Sequence, residues 1–376
     1  MELFNVYPRF NINLTKAKGV YVYDDNDKKY LDLYGGHGVI SIGHTHPFYI
    51  ESITKQLNSI GFYSNSINMP IQEELAEKLS EASEYPTHQL FLVNTGAEAN
   101  ENALKLASFY TGKKKVIAFK GSFHGRTAAT LNVTDNPKLS APINVNNFPV
   151  EFVEMNNKRE LINAFQKEDV STVIIEGIQG VGGLEAPTND FFKYIAKCCK
   201  KYDAVLIVDE IQSGFGRTGK FFAHQHSGIK ADIITMAKGM GNGFPMGGLL
   251  INPKIEASFG LLGTTFGGNQ LACAASIAVL DTIKSEALMA NVNKSSQFLI
   301  NGLASVPKIK KIKGTGLMLG IEFDFEIKEI RKCLLEDFHI FTGNSTNPNL
   351  LRILPPLCIT AEELVPFIEA LKKILK

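Results

Sequence analysis

The chain has 376 residues, and its 39 lysines and arginines against 38 aspartates and glutamates leave a net charge of +1. Without a basic block it lacks the clustered cations that electrostatic nucleic-acid binding requires, and a content of 44% hydrophobic and 10% aromatic residues is too rich in core formers for disorder. At about 150 residues per domain, this length predicts two to three domains, or one large fold with an appendage, and a core that needs no disulfide or metal staple.

The first elements in chain order are short strands over 20–23 and 29–33, read as an antiparallel pair around a turn at 24–27. A strand over 89–93 follows, then a helical pattern over 97–110, a strand over 116–119, a helix over 158–166, a strand over 172–175 and a helix over 190–201. Three more strands are predicted over 204–208, 232–236 and 248–251. Their continuous apolar runs suit strands covered on both faces, and the alternation with helices predicts an α/β fold with a mostly parallel sheet. The end of the chain differs. Helical patterns over 285–303 and 361–375 flank strand candidates over 317–323 and 351–353, which reads as a smaller α+β domain.

The five scattered cysteines show no CxxC or CxxH spacing, so neither a zinc site nor a disulfide framework is signalled; free thiols in a reducing cytosol are expected. The opening MELFNVYPRFN carries no basic-then-apolar leader pattern, and the longest apolar stretches, 204–208 and 271–280, fall short of a membrane span. A cytoplasmic protein without membrane or nucleic-acid partners is the expectation.

In such sheets ligands bind outside the carboxyl ends of the strands. Four of those ends carry unusual residues. The strand over 204–208 runs into Asp209-Glu210; a carboxylate there reads as a cation partner, a metal ligand, a helix cap or a solvated strand end. The strand over 232–236 runs into Ala237-Lys238-Gly239. Lys238 is either a desolvated amine nucleophile or a lysine reaching to solvent. The glycines at 239, 241 and 243 lack GxGxxG spacing and precede a strand, so they are no dinucleotide fingerprint. The strand over 89–93 runs into Asn94-Thr95-Gly96-Ala97 and a helix start, which is an anion site or an ordinary N-cap. The strand over 116–119 runs into Phe123, His124 and Arg126 on one glycine-bracketed turn. There Phe123 can stack on a flat ring and Arg126 can grip a carboxylate. Together these are a phosphate cradle, a stacking ring, a buried carboxylate and a nucleophilic lysine. A carboxylate can pair with a protonated pyridine nitrogen, and a lysine can form a Schiff base with an aldehyde. The set describes pyridoxal 5'-phosphate.

On these residues the chain resembles the class III, fold-type I aminotransferases, most closely the acetylornithine aminotransferase group. The likeness spans nearly the whole sequence and includes residues 19–24, 30–32, Gly43-His44-Thr45-His46-Pro47, the 94–101 turn, 123–127, Asp209-Glu210-Ile211-Gln212, 214–219, Ala237-Lys238-Gly239, 265–269 and 351–356. The resemblance implies a large, mostly parallel-sheet cofactor domain over 41–282 and a small C-terminal domain over 283–376, with residues 1–40 packing on the latter. It implies that Lys238 is the Schiff-base lysine and proton shuttle and that Asp209 is the partner of the pyridine nitrogen. Gln212 would approach the cofactor's 3'-oxygen, and Ile211 would pack on the ring face opposite Phe123. Thr95 and the amides of Gly96 and Ala97 would hold the phosphate. Thr265 would reach the phosphate of a partner subunit, which makes a homodimer with shared sites. Arg126 would hold the far carboxylate of the substrate and Arg352 the α-carboxylate of glutamate or 2-oxoglutarate. The implied reaction couples an N-acylornithine with 2-oxoglutarate in arginine biosynthesis. N-succinylornithine, ornithine and 4-aminobutyrate are alternative substrates; a nicotinamide dehydrogenase and a catalytically silent binding protein are the alternative functions. No metal site is expected, although His44/His46 and His224/His226 have metal-like spacing.

Several positions depart from the family. Its Glu-Pro-x-Gln-Gly-Glu-Gly-Gly reads Glu176-Gly177-Ile178-Gln179-Gly180-Val181-Gly182-Gly183 here, so the glutamate that pairs with the Arg352-type arginine is Val181. Either Glu185, a bound anion or the substrate must then replace that charge. His37 stands where the family presents a substrate-contacting residue, and reads as a contact to the acyl or carboxylate end or as a turn histidine. Gln270 replaces a proline.

Overall fold

Aliphatic and β-branched runs build the centre of this computed structural model, which describes residues 1–144, 148–167 and 169–376. Near the N-terminus β1 (Leu14–Lys18), β2 (Tyr21–Asp24) and β3 (Lys29–Asp32) form an antiparallel ribbon. The main sheet uses β4 (Gln89–Val93), β5 (Lys115–Phe119), β6 (Val150–Val153), β7 (Val170–Glu176), β8 (Val205–Asp209), β9 (Ile233–Met236) and β10 (Gly247–Ile251). Their order is β4-β10-β9-β8-β7-β5-β6. Only β10 runs antiparallel to its neighbours; the other pairings are parallel. Every residue of β5, β7, β8, β9 and β10 is buried, which is why their sequences do not alternate. The carboxyl ends of β4, β5, β7, β8 and β9 therefore share one edge.

Helices start where caps permit. Thr95 accepts from the Glu98 amide at 3.1 Å and opens the helix Gly96–Thr111, which ends on Gly112 in the left-handed region. This helix crosses β7 to β10 and places its N-terminus at the site edge. Several elements were invisible to periodicity. The helix Gln270–Ser285 is buried on most sides, so its apolar run shows no stripe; it packs on the helices Pro47–Ser59 and Pro70–Ser83. The single helix expected over 285–303 begins only at Leu288, after Ala287 at a φ of 50°. The Gln270 side chain accepts from the Tyr63 amide at 3.0 Å, a local tie between that helix and the loop before Pro70.

The C-terminal part supplies β11 (Lys311–Thr315), β12 (Met318–Glu322), β13 (Ile340–Phe341) and β14 (Leu350–Ile353). β11, β12 and β14 form an antiparallel sheet. β13 instead pairs in parallel with β3, joining the N-terminal ribbon to this region. No helix among the described residues is long and apolar enough to cross a membrane.

Candidate active site

Asp209 ends β8 with 4% exposure, so its carboxylate must be satisfied by protein. Its Oδ2 accepts from Asn100 Nδ2 at 2.7 Å and meets His124 Nδ1 at 2.8 Å, while Oδ1 accepts from the Ile211 amide at 3.0 Å. An ionised Asp209 places the imidazole proton on Nδ1. Asn100 is held in turn, since its Oδ1 accepts from Thr235 Oγ1 at 2.7 Å and its Nδ2 also donates to the His124 carbonyl at 2.8 Å. Three elements thus clamp one carboxylate. The Nε2 of His124 is buried with no partner among the described residues.

Glu176, ending β7, lies beside this cluster. Its oxygens accept from the Phe123 amide at 3.0 Å and the Gly180 amide at 2.8 Å. Burial pushes its pKa up to about 7; His124 opposes the rise and Asp209 adds to it. Lys238 follows β9 in the left-handed region at a φ of 47°, strain that a non-glycine residue tolerates only when its surroundings fix it. Its ammonium has no hydrogen bond or ion pair among the described residues, although Asp209, Glu176 and Ile211 line the same cleft. Burial lowers its pKa below the ordinary lysine value; Asp209 and Glu176 pull it up and Arg352 presses it down.

Gly96, Phe123, Ile211, Gln212 and Val181 complete the wall. A Cβ on Gly96 would sit 2.8 Å from Ile211 Cδ1, so only glycine lets the helix start approach the β8 loop this closely. Gln212 Nε2 donates to the His37 carbonyl at 2.9 Å. Arg352, on β14 of the three-stranded sheet and 3% exposed, reaches the cleft from there. Its Nη1 donates to the Gly180 carbonyl and contacts Gln212 Oε1 at 3.4 Å, and its Nη2 donates to Tyr34 Oη at 3.3 Å. Its Nε is buried without a partner, and no carboxylate pairs with it among the described residues. Glu185 is not the substitute anion: its Oε1 pairs with Lys313 Nζ at 2.7 Å.

The structure therefore brings together Lys238, Asp209, Phe123, Ile211, Gln212, Gly96 and, through Gln212, Arg352. Thr95 and Ala97 sit at the same helix start. His37 is exposed, at a φ of 71°, with its ring 4.6 Å from that of Tyr34. Arg126 is exposed and makes no ion pair among the described residues. Thr265 is exposed too; its neighbour Thr264 contacts Asn94 Nδ2 at 3.4 Å, which ties that loop to the helix start in the same subunit. The metal-spaced histidines have ordinary partners: His44 meets Asp32 at 2.9 Å, His46 meets Glu286 at 2.8 Å, His224 meets Glu210 at 2.7 Å and His226 meets the Thr218 carbonyl at 3.1 Å. Sequence reasoning missed Asn100, Glu176, Tyr34 and the pairing of His124. One signal was available: Asn100 falls four residues after Gly96, a polar residue mid-helix on the face turned to the sheet.

The model for "Aminotransferase class-III" matches residues 5–375. The chain belongs to the class-III aminotransferases. An acetylornithine aminotransferase of Archaeoglobus fulgidus is 39% identical over 370 residues, 98% of this chain and 96% of that protein. One of Bacillus subtilis is 39% identical over 377 residues, covering 99% and 97%. Among solved structures, an ornithine aminotransferase of Toxoplasma gondii with PLP at partial occupancy in its active site has a TM-score of 0.89 at 28% identity, over 98% of this chain and 91% of that one. This class-III aminotransferase is a PLP-dependent transaminase of the fold-type I architecture. Its cleft fits the cofactor: a lysine with no partner among the described residues, a clamped carboxylate and a glycine-lined helix N-terminus face one space.

Proposed function

We propose that this enzyme transfers the ω-amino group of N-acetylornithine to 2-oxoglutarate, giving N-acetylglutamate 5-semialdehyde and glutamate, as a cytoplasmic homodimer. Likeness over almost its full length to proteins named acetylornithine aminotransferase carries the reading. The cleft supports it, because a buried arginine without a carboxylate of its own suits an amino-acid substrate.

Pyridoxal phosphate, when bound, supplies an aldehyde for amines and a ring that draws electrons from the amine-bearing carbon. The chain's residues do the rest. Lys238 would be the anchoring amine, and its Nζ would move the proton off and onto the reacting carbon; burial lowers its pKa, which suits a base. Asp209 would hold the ring nitrogen's proton, its charge fixed by Asn100, His124 and the Ile211 amide. Phe123 and Ile211 would enclose the ring faces, and Gln212 would meet its 3'-oxygen. The first helical amides at Gly96 and Ala97 have no intrahelical acceptor, so they and the Thr95 hydroxyl would hold the phosphate. Thr95 accepts from Glu98, which leaves its hydroxyl proton free to donate. Thr265 of each subunit would reach the other's phosphate. Arg126 would hold the distal carboxylate and Arg352 the α-carboxylate of glutamate.

A panel of N-acetylornithine, N-succinylornithine, ornithine and 4-aminobutyrate tests the substrate. N-acetylornithine should give the highest kcat/KM; faster turnover of any other member rejects the assignment. Borohydride reduction and peptide mapping should place the cofactor on Lys238.

A further inference from the structure

Arg331 lies on the helix Lys328–Glu336, outside the cleft wall described above. It is half-buried, yet it makes no ion pair among the described residues. Its Nη2 donates to the Thr342 carbonyl at 3.1 Å, and its Nε is buried without a partner. Glu326 and Glu336 line the same outer groove, but neither pairs with it. Thr342 directly precedes Gly343, which is bridged to Arg352: the Gly343 amide donates to the Arg352 carbonyl at 2.8 Å, and the Arg352 amide donates back at 3.0 Å. Tyr34 lies over the same spot, since a Cβ on Gly343 would collide with its ring and the Tyr34 hydroxyl accepts from Arg352. Two guanidiniums that lack carboxylate partners among the described residues are thus held around one bridge and one tyrosine. Each is felt at Tyr34, where both oppose the burial-driven rise in the phenol's pKa.

We propose that Arg331 is a positioning residue for substrate choice: its charge raises the positive potential at Arg352, favouring the carboxylate substrates glutamate and 2-oxoglutarate. The inference rests on the proposed role of Arg352 and deepens it. Arginine stays protonated at all working pH values, so the two like charges persist in the free enzyme. In a partly dry site their repulsion is weakly screened, and an incoming carboxylate relieves it. This gives the subsite a built-in preference for anions where Val181 supplies no countercharge.

The test uses holoenzyme and glutamate alone, followed by the change in the cofactor's visible absorption, so it is independent of which ω-amine the enzyme accepts. Arg331→Gln should raise the half-saturating glutamate concentration by roughly three- to tenfold, with the limiting rate within about twofold. Arg331→Lys, which keeps the charge, should restore most of the affinity. Calorimetric binding of glutarate, an unreactive dicarboxylate, should weaken in parallel. Unchanged glutamate affinity in a folded Arg331→Gln enzyme overturns the proposal. So does Arg331→Lys failing as badly as Arg331→Gln, since that marks a packing role. If wild type responds to glutamate but N-acetylornithine proves a poor substrate, the acyl-ornithine assignment fails while this inference stands.

Discussion

At one end of the cleft Asp209 receives three donors, two from side chains that are themselves buried and one from the backbone. At the other end Arg352 is almost equally buried but has a carbonyl, a tyrosine and an amide oxygen as its partners, and an Nε with none. A carboxylate with its valences filled is fixed before any ligand arrives, as a group meant to hold one charge throughout a reaction must be. A guanidinium left short of an anion is built to receive one, since burying a charge without its counterion is costly until the counterion comes. On the proposed roles, the difference is that between a permanent cofactor contact and a transient substrate contact.

The comparison breaks most sharply at Asp209. In Asp209→Asn the amide oxygen must face His124 and Asn100, which turns the NH2 toward the Ile211 amide, a donor against a donor. With the charge also lost, kcat/KM should fall by about a hundredfold or more, and the cofactor's absorption should change. A loss below tenfold would mean the clamp is structural. Next is Arg352→Gln, for which KM for 2-oxoglutarate should rise by about 10- to 100-fold while the half-reaction with the ω-amine changes far less. Equal loss in both half-reactions would remove the transient role. A smaller effect is expected at Val181, which lines the cleft beside Gly180, the residue whose carbonyl Arg352 holds. Val181→Glu should offer Arg352 an internal anion, so the ω-amine half-reaction should improve by a few fold and 2-oxoglutarate should bind no better. Unchanged kinetics in both halves defeats the idea. The smallest effect is expected at His37, whose ring is exposed and whose carbonyl is the group engaged by Gln212. His37→Ala should cost about twofold to fivefold, more with an N-acetyl than an N-succinyl substrate if the ring touches the acyl group. Equal losses on the two would take it out of acyl selection.

The Asp209 end was legible because its chemistry sits at strand ends. A buried apolar run that stops in Asp209, and another that stops two residues before Lys238, announce groups at one sheet edge before any contact is known. The glycine at position 96 could be read as a close approach, and the structure names what approaches it, Ile211. Arg352 was legible only through family resemblance, because a short strand in a small antiparallel sheet gives no sign of which cleft it faces. Glu185 shows the limit of reading by proximity in sequence: it stands four residues from Val181, yet it belongs to Lys313.

The sequence by itself determined the elements and the chemical inventory, because local periodicity, caps and glycine turns depend on neighbours a few residues away. The tertiary structure alone decided which groups are satisfied. Asn100 reaches Asp209 across 109 positions, Arg352 reaches Gly180 across 172, and β13 carries the chain back to β3. Whether a buried charge is clamped or left waiting depends on such long-range pairings, and those follow from how the sheets and helices pack, not from any run of residues.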